Sequence, residues 1–180
     1  MRKIICFLSL ILLLCVSTVQ AATFSVAKDS QKINEQLNVD NVVFVNNLKI
    51  KNLNILDSNN NKLLSLDAKA RSNYIRKIVC KNPDKVFYEI KALGGAHGEL
   101  GGYWLIGQHN GKWVVYVNLE SLRSMGACFI FHCIESKGDS LLISTYNHKF
   151  PDDSIVAHAD IELFWDYDAQ WFGMRRVYED

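Results

Sequence analysis

The sequence is informative first through its absences. It contains fifteen asparagines but no Asn-x-Ser/Thr triplet, so it offers no acceptor for N-glycosylation. That absence points toward a bacterial envelope or secreted protein. There is no Cys-x-x-Cys pair and no His-Glu-x-x-His, which removes the usual zinc frameworks, and no Gly-x-Ser-x-Gly elbow for a serine nucleophile. No apolar run approaches the roughly 20 residues needed to cross a bilayer as a helix. Charge of either sign is not in excess: 20 Lys and Arg stand against 19 Asp and Glu, and nothing asks for nucleic acid or an anionic membrane as partner. Internal repeats, low-complexity tracts and linkers are also missing.

What is present begins with an address. Met1-Arg2-Lys3 is followed by an apolar run from Ile4 to Val16 and by small residues around Val19-Gln20-Ala21-Ala22, the order of a secretory signal peptide. Cleavage after Ala21 puts Val19 and Ala21 in the two small-residue positions. Residues 1–21 are therefore expected to be removed, which leaves no integral membrane segment and places residues 22–180 in the periplasm or outside the cell. Cys15 is a poor lipidation site, because Leu14 stands where a small residue is normally required. The mature part carries 18 Lys and Arg against 19 Asp and Glu and is long enough for a single domain with a real core.

Three cysteines remain in that part, Cys80, Cys128 and Cys133. An oxidising compartment predicts a disulfide among them, with the pairing open. Cys128 and Cys133 would lie roughly 16 Å apart on a regular strand, so a bond between them needs a bend.

Ser30 to Leu37 has a weak helical pattern through Ile33 and Leu37. Val42 to Val45, Leu48 to Ile50 and Leu53 to Ile55 suggest strands, and Asp57 to Lys62 supplies turn chemistry before Leu63 to Leu66. Asp57, Asn59 and Asn61 match the first ligands of a calcium loop, but Lys62 replaces its glycine and Ala68 its glutamate, so an Asx turn is the better reading. From Asp67 to Cys80, the positions Ala70, Tyr74, Ile75, Ile78 and Val79 recur at helical spacing. This predicts an amphipathic helix over 67–80, capped by Asp67 and stopped by Asn82-Pro83-Asp84.

Beyond Pro83 the pattern is β. Asn110-Gly111 joins Tyr103–Ile106 to Trp113–Val117 in the strongest hairpin signal of the chain. Leu119 to Met125 reads as a helical turn before Gly126, and further hairpins are expected about Lys137-Gly138-Asp139 and Asp166 to Gln170. The expected fold is α+β: an antiparallel sheet of five to seven strands built from hairpins, with the 67–80 helix packed against it.

Five of the ten glycines fall in Gly94-Gly95-Ala96-His97-Gly98-Glu99-Leu100-Gly101-Gly102. The spacing fits neither a dinucleotide fingerprint nor a P-loop, and the segment is expected to be a loop between Val86–Ile90 and Tyr103–Ile106. His97 and Glu99 are its ionisable side chains; with Tyr103 and Trp104 they are the candidate binding residues. No catalytic set, metal site or cofactor is expected. His158 with Asp160 is better read as an ordinary pair beside Arg175 and Arg176, and His132 and Cys133 as strand neighbours facing opposite ways. Trp104, Trp113, Trp165 and Trp171, with Tyr103, Tyr116, Tyr167 and Phe172, are dense for so short a chain and divide between core and recognition roles. The chain is thus expected to be an exported, non-catalytic binding module, of inhibitor or immunity type, whose partner is another envelope or secreted protein. A small envelope hydrolase using His97 and Glu99 and a structural envelope protein are the alternatives.

Overall fold

The computed structural model describes residues 21–33, 43–45, 48–51, 54–65, 72–95, 98–149, 152 and 154–178. Fourteen strands and one short helix are found among them: β1 (Thr23–Val26), β2 (Gln31–Ile33), β3 (Val43–Val45), β4 (Leu48–Lys51), β5 (Asn54–Leu56), β6 (Lys62–Ser65), β7 (Ser72–Lys81), β8 (Lys85–Gly94), β9 (Glu99–His109), β10 (Lys112–Asn118), α1 (Leu119–Ser124), β11 (Ile130–Lys137), β12 (Ser140–Lys149), β13 (Ser154–Asp166) and β14 (Trp171–Val177). Ten strands form one sheet along the path β1-β7-β8-β9-β11-β12-β13-β14, with β2 beside β7 and β10 beside β9; β3-β4-β5-β6 form a second, small sheet. Every pairing is antiparallel.

The α+β expectation is overturned, because the stretch read as a helix over 67–80 is the strand β7 from Ser72 onward, paired to β8 from Ser72↔Leu93 to Cys80↔Lys85. Residues 66–71 lie outside the described set. The physical reason is that β7 changes the face it buries. In its first half Asn73 and Ile75 are buried on one face, with Ile75 packed against the small sheet; in its second half Ile78 and Cys80 are buried on the other, in the main core. The apolar residues at 75 and 78 therefore fall three apart and imitate a helix, although each half alternates as a strand. The weak helix expected at Ser30 to Leu37 meets a similar correction. Gln31–Ile33 is strand β2, paired to β7, and residues 34–37 lie outside the described set.

The large sheet folds over itself. Ile78, Phe87, Tyr103 and Leu105 from β7 to β9 share one core with Phe131 and Ile134 of β11, Ile143 of β12, Ile161 and Leu163 of β13 and Phe172 of β14. At the centre the Phe87 ring lies 5.3 Å from Tyr116, 5.7 Å from Trp165 and 5.0 Å from Phe172. Such ring pairs add about 0.5–1.5 kcal/mol each beyond the area they bury. Tyr116 reaches this cluster because β10 has a bulge between Val115 and Val117. The fold closes where Ser136 Oγ donates to the Phe24 carbonyl at 2.6 Å, tying β11 to β1.

On the outer face of β7 to β9 a second core joins Leu48 and Ile55 of the small sheet to Ile75, Tyr88, Ile90 and Ile106. The expected hairpins about Asn110-Gly111, Gly138 and Asp166 to Gln170 are present. The helical turn is α1, where Asn118 accepts from the Ser121 amide and the Ser121 hydroxyl accepts from the Asn118 amide. At the β5–β6 turn the Asp57 carboxylate accepts from the Asn61 side-chain amide at 2.9 Å and from the Asn59 and Asn61 backbone amides, both at 2.8 Å; these bonds, the Asn61 side chain first, hold its pKa below the ordinary value. That is the Asx turn.

Candidate functional site

The small sheet covers only part of the outer face, and the uncovered end of β8, β9 and β10 holds a cleft of about 410 Å³. Its position follows from local sequence. Asn110 and Gly111 have φ of 50° and 74°, the two positive values that a type I′ turn needs, so β9 and β10 pair directly as a hairpin. The register sets Trp113 opposite Gln108 and Tyr88 opposite Ile106, all on the outer face. Tyr88 is buried and forms the floor; half-buried Trp113 forms a wall, with ring centroids 6.0 Å apart and planes tilted by 45°. Asp84, Lys85, Gln108 and Asn110 make the rim. The Lys85 ammonium donates to the Gln108 carbonyl at 3.4 Å and lies 5.5 Å over the Trp165 ring, which fixes it across the end of the sandwich. One carboxylate and one ammonium leave this rim with no net charge. Behind Trp113, Lys62, Leu63, Leu64, Ile106, Val114 and Val115 line a smaller hollow of about 150 Å³ with it, so the indole stands between two recesses.

The residues singled out in the sequence do not converge. His97 lies outside the described residues. Glu99 is the exposed first residue of β9, opposite Ile130. Tyr103 points inward and is fully buried, whereas Trp104, its neighbour, points outward and packs half-buried beside the small sheet. The glycine window is also shorter as a loop than its composition suggests. Gly94 ends β8 and Glu99 begins β9, so the connection is 95–98, with positive φ at Gly95 and Gly98. Gly102 lies within β9 and serves packing: a Cβ there would meet the Trp104 ring at 2.5 Å.

A second polar cluster lies inside the fold. Arg76 donates through Nε and Nη2 to Glu89 Oε2 at 2.9 and 2.7 Å, and the Glu89 carboxylate is 1% exposed. The Lys91 ammonium sits 4.0 Å over the Phe131 ring; burial pushes its pKa down. The Tyr103 hydroxyl lies beside Glu89, and burial above all raises its pKa well above the ordinary value. This cluster is walled in by β7, β8, β9 and β11 and does not open into the cleft.

Cys80, Cys128 and Cys133 are all free thiols, the first two buried. His158 Nε2 lies 3.1 Å from Asp160 Oδ1, the expected local pair. His132 stacks edge-on against Tyr146, while Cys133 lies opposite Ser144 beyond a bulge. Among the described residues no group of three His, Cys, Asp or Glu side chains is arranged to hold a metal ion. The recognition signal that sequence reasoning missed was position: Trp113 follows the Asn-Gly turn by two residues, opposite Gln108, and that spacing alone puts an indole and an amide on one face.

Comparison with known proteins finds no matching family model, no similar curated protein and no similar solved structure.

Proposed function

We propose that the protein is an exported, non-catalytic binding domain, processed after Ala21, and that it recognises a neutral saccharide of the cell envelope or its surroundings through the Trp113 cleft. The observation that carries this reading is an indole wall over an aromatic floor, rimmed by two amides and by a carboxylate and an ammonium whose charges cancel. A pyranose ring presents C–H groups on its face and hydroxyls at its edge. The C–H face stacks on an indole, and the hydroxyls exchange hydrogen bonds with the Gln108 and Asn110 amides and the Asp84 carboxylate. The cleft falls within the size of ordinary small-ligand sites, and the absence of net charge at its rim favours an uncharged guest.

Tryptophan fluorescence titrated with N-acetylglucosamine and glucose oligomers, together with co-sedimentation with chitin, cellulose and peptidoglycan, tests the reading. A saturable signal with at least one of these is expected, weakened about tenfold or more by Trp113→Ala, a loss of about 1.4 kcal/mol. Gln108→Ala is expected to weaken it less, and Trp104→Phe to leave it intact. No binding to any member of the panel, or equal binding by Trp113→Ala, overturns it.

A further inference from the structure

A further recess, of about 280 Å³, is lined by Ala21, Ala22, Asp139, Glu162, Trp165 and Arg175, among others. Ala22 is 4% exposed and belongs to the main core, while Ala21 is exposed. The chain thus passes from solvent to core across the bond at which the signal peptide is expected to be cut. We propose that this recess is the seat of the α-ammonium group created by that cut, with Asp139 as its counter-ion.

The geometry builds the seat from both sides. Thr23 pairs with Lys81, which fixes the start of β1 against β7. The Ser136 hydroxyl bonded to the Phe24 carbonyl holds β11 alongside β1, so the Lys137-Gly138-Asp139 turn comes level with Ala22. Glu162 is already engaged. It accepts from Arg175 and from Ser140 Oγ at 2.7 Å, and these bonds, Arg175 first, hold its pKa below the ordinary value. Asp139, an exposed side chain, makes no hydrogen bond or close ion pair among the described residues, and its charge acts on Arg175 and Tyr167 only through space, so its carboxylate is the acceptor open to the amine. The charged and titratable groups around the recess are Asp139 and nearby Lys137 of the β11–β12 turn, Glu162 of β13, Arg175 of β14, Tyr167 of the following turn and Lys81 of β7. An ammonium at a nearly buried alanine requires such a partner, because an unpaired charge there would be expelled.

The consequence is a stability that depends on the free amine. An α-amino group titrates at about 7.7–8.0 when unperturbed, and pairing with Asp139 raises that value in the folded state. Its contribution is therefore fully present below pH of about 7.7 and is lost as pH rises through the folded value. The proposal rests on the export reading, and its test separates the two. The full chain is expressed with its leader and purified from the envelope fraction; intact mass gives its first residue. The melting temperature is then followed from pH 6 to pH 10 for this protein, for Asp139→Asn, and for a version carrying one added glycine before Ala22.

The expected first residue is Ala22, with a fall of about 2–4 °C above pH 8 in the mature protein that both variants lack. A start at Ala22 with three superimposed profiles overturns the seat and leaves export standing. A start at Met1 overturns both, and a start at any other residue overturns the seat.

Discussion

At the residue scale, the most consequential contact outside the cleft is the Arg76–Glu89 pair. A buried pair of this kind is costly to form and more costly to break, since removal of one partner leaves the other charge without compensation. Arg76→Ala is expected to destabilise the protein by about 3–5 kcal/mol in urea unfolding, whereas the double change Arg76→Met with Glu89→Leu is expected to restore most of that loss. If the single variant unfolds at the same urea concentration as the parent, the pair carries no weight. Thiol chemistry belongs to the same scale. Burial pushes the Cys80 thiol up to about 11, and the Cys133 thiol is also raised, chiefly by burial. Thiolate, the reactive form, is therefore scarce at these two sites in the native state, and among the described cysteines only Cys133 is partly accessible. Iodoacetamide at pH 7.5 is expected to label Cys133 alone and slowly, and all three sites once denaturant is added; peptide mass mapping reads the order.

At the element scale, hairpins carry both the fold and the cleft. Gly111 has φ of +74°, a conformation that any other side chain adopts at a cost. Gly111→Val is expected to lower the melting temperature by several degrees and to weaken saccharide binding in parallel, because Trp113 and Gln108 lose the register that sets them side by side. Full affinity in a destabilised Gly111→Val protein would separate the turn from the site. Turn chemistry of this local kind was legible in the sequence: Asn110-Gly111, Gly138 and the Asp57 turn each depend on a few adjacent residues. Strand β7 was not legible, because the reason its apolar residues fall at 75, 78 and 80 is the small sheet on one side and the folded-over half on the other, and neither is visible within a short window. The aromatic residues show the same division. Trp165, Tyr116 and Phe172 fill the core and Trp113 lines the cleft, and only the bulge at Tyr116 and the strand register decide which is which.

At the scale of the whole molecule, two cores share one sheet. The main core lies between the folded halves, and the second lies beneath the four-stranded sheet, whose β6 also lines the smaller hollow behind Trp113. The two recesses, joined by Lys85 over the Trp165 ring, therefore differ in kind: one is rimmed by an indole, two amides and one charge of each sign, the other by Asp139, Glu162 and Arg175 beside Ala21 and Ala22. Glu99 of the glycine-rich window belongs to neither, and His97 lies outside the described residues. Composition drew attention to that window, yet part of its glycine content serves only to let the Trp104 ring lie flat on β9.

The bond between Ser136 and Phe24 spans 112 residues of sequence. Hairpins such as β9–β10 and β13–β14 form from neighbours, but the main core needs β1 and β14 together, since Ala22, Phe24 and Phe172 all belong to it. Closure must wait for nearly the whole chain, and contacts of such separation form slowly. Under the export proposed above, the delay has a use: β1 can pair with β7 early, but the core it shares with β14 cannot close until the end of the chain has followed, so the chain stays incompletely folded during transit.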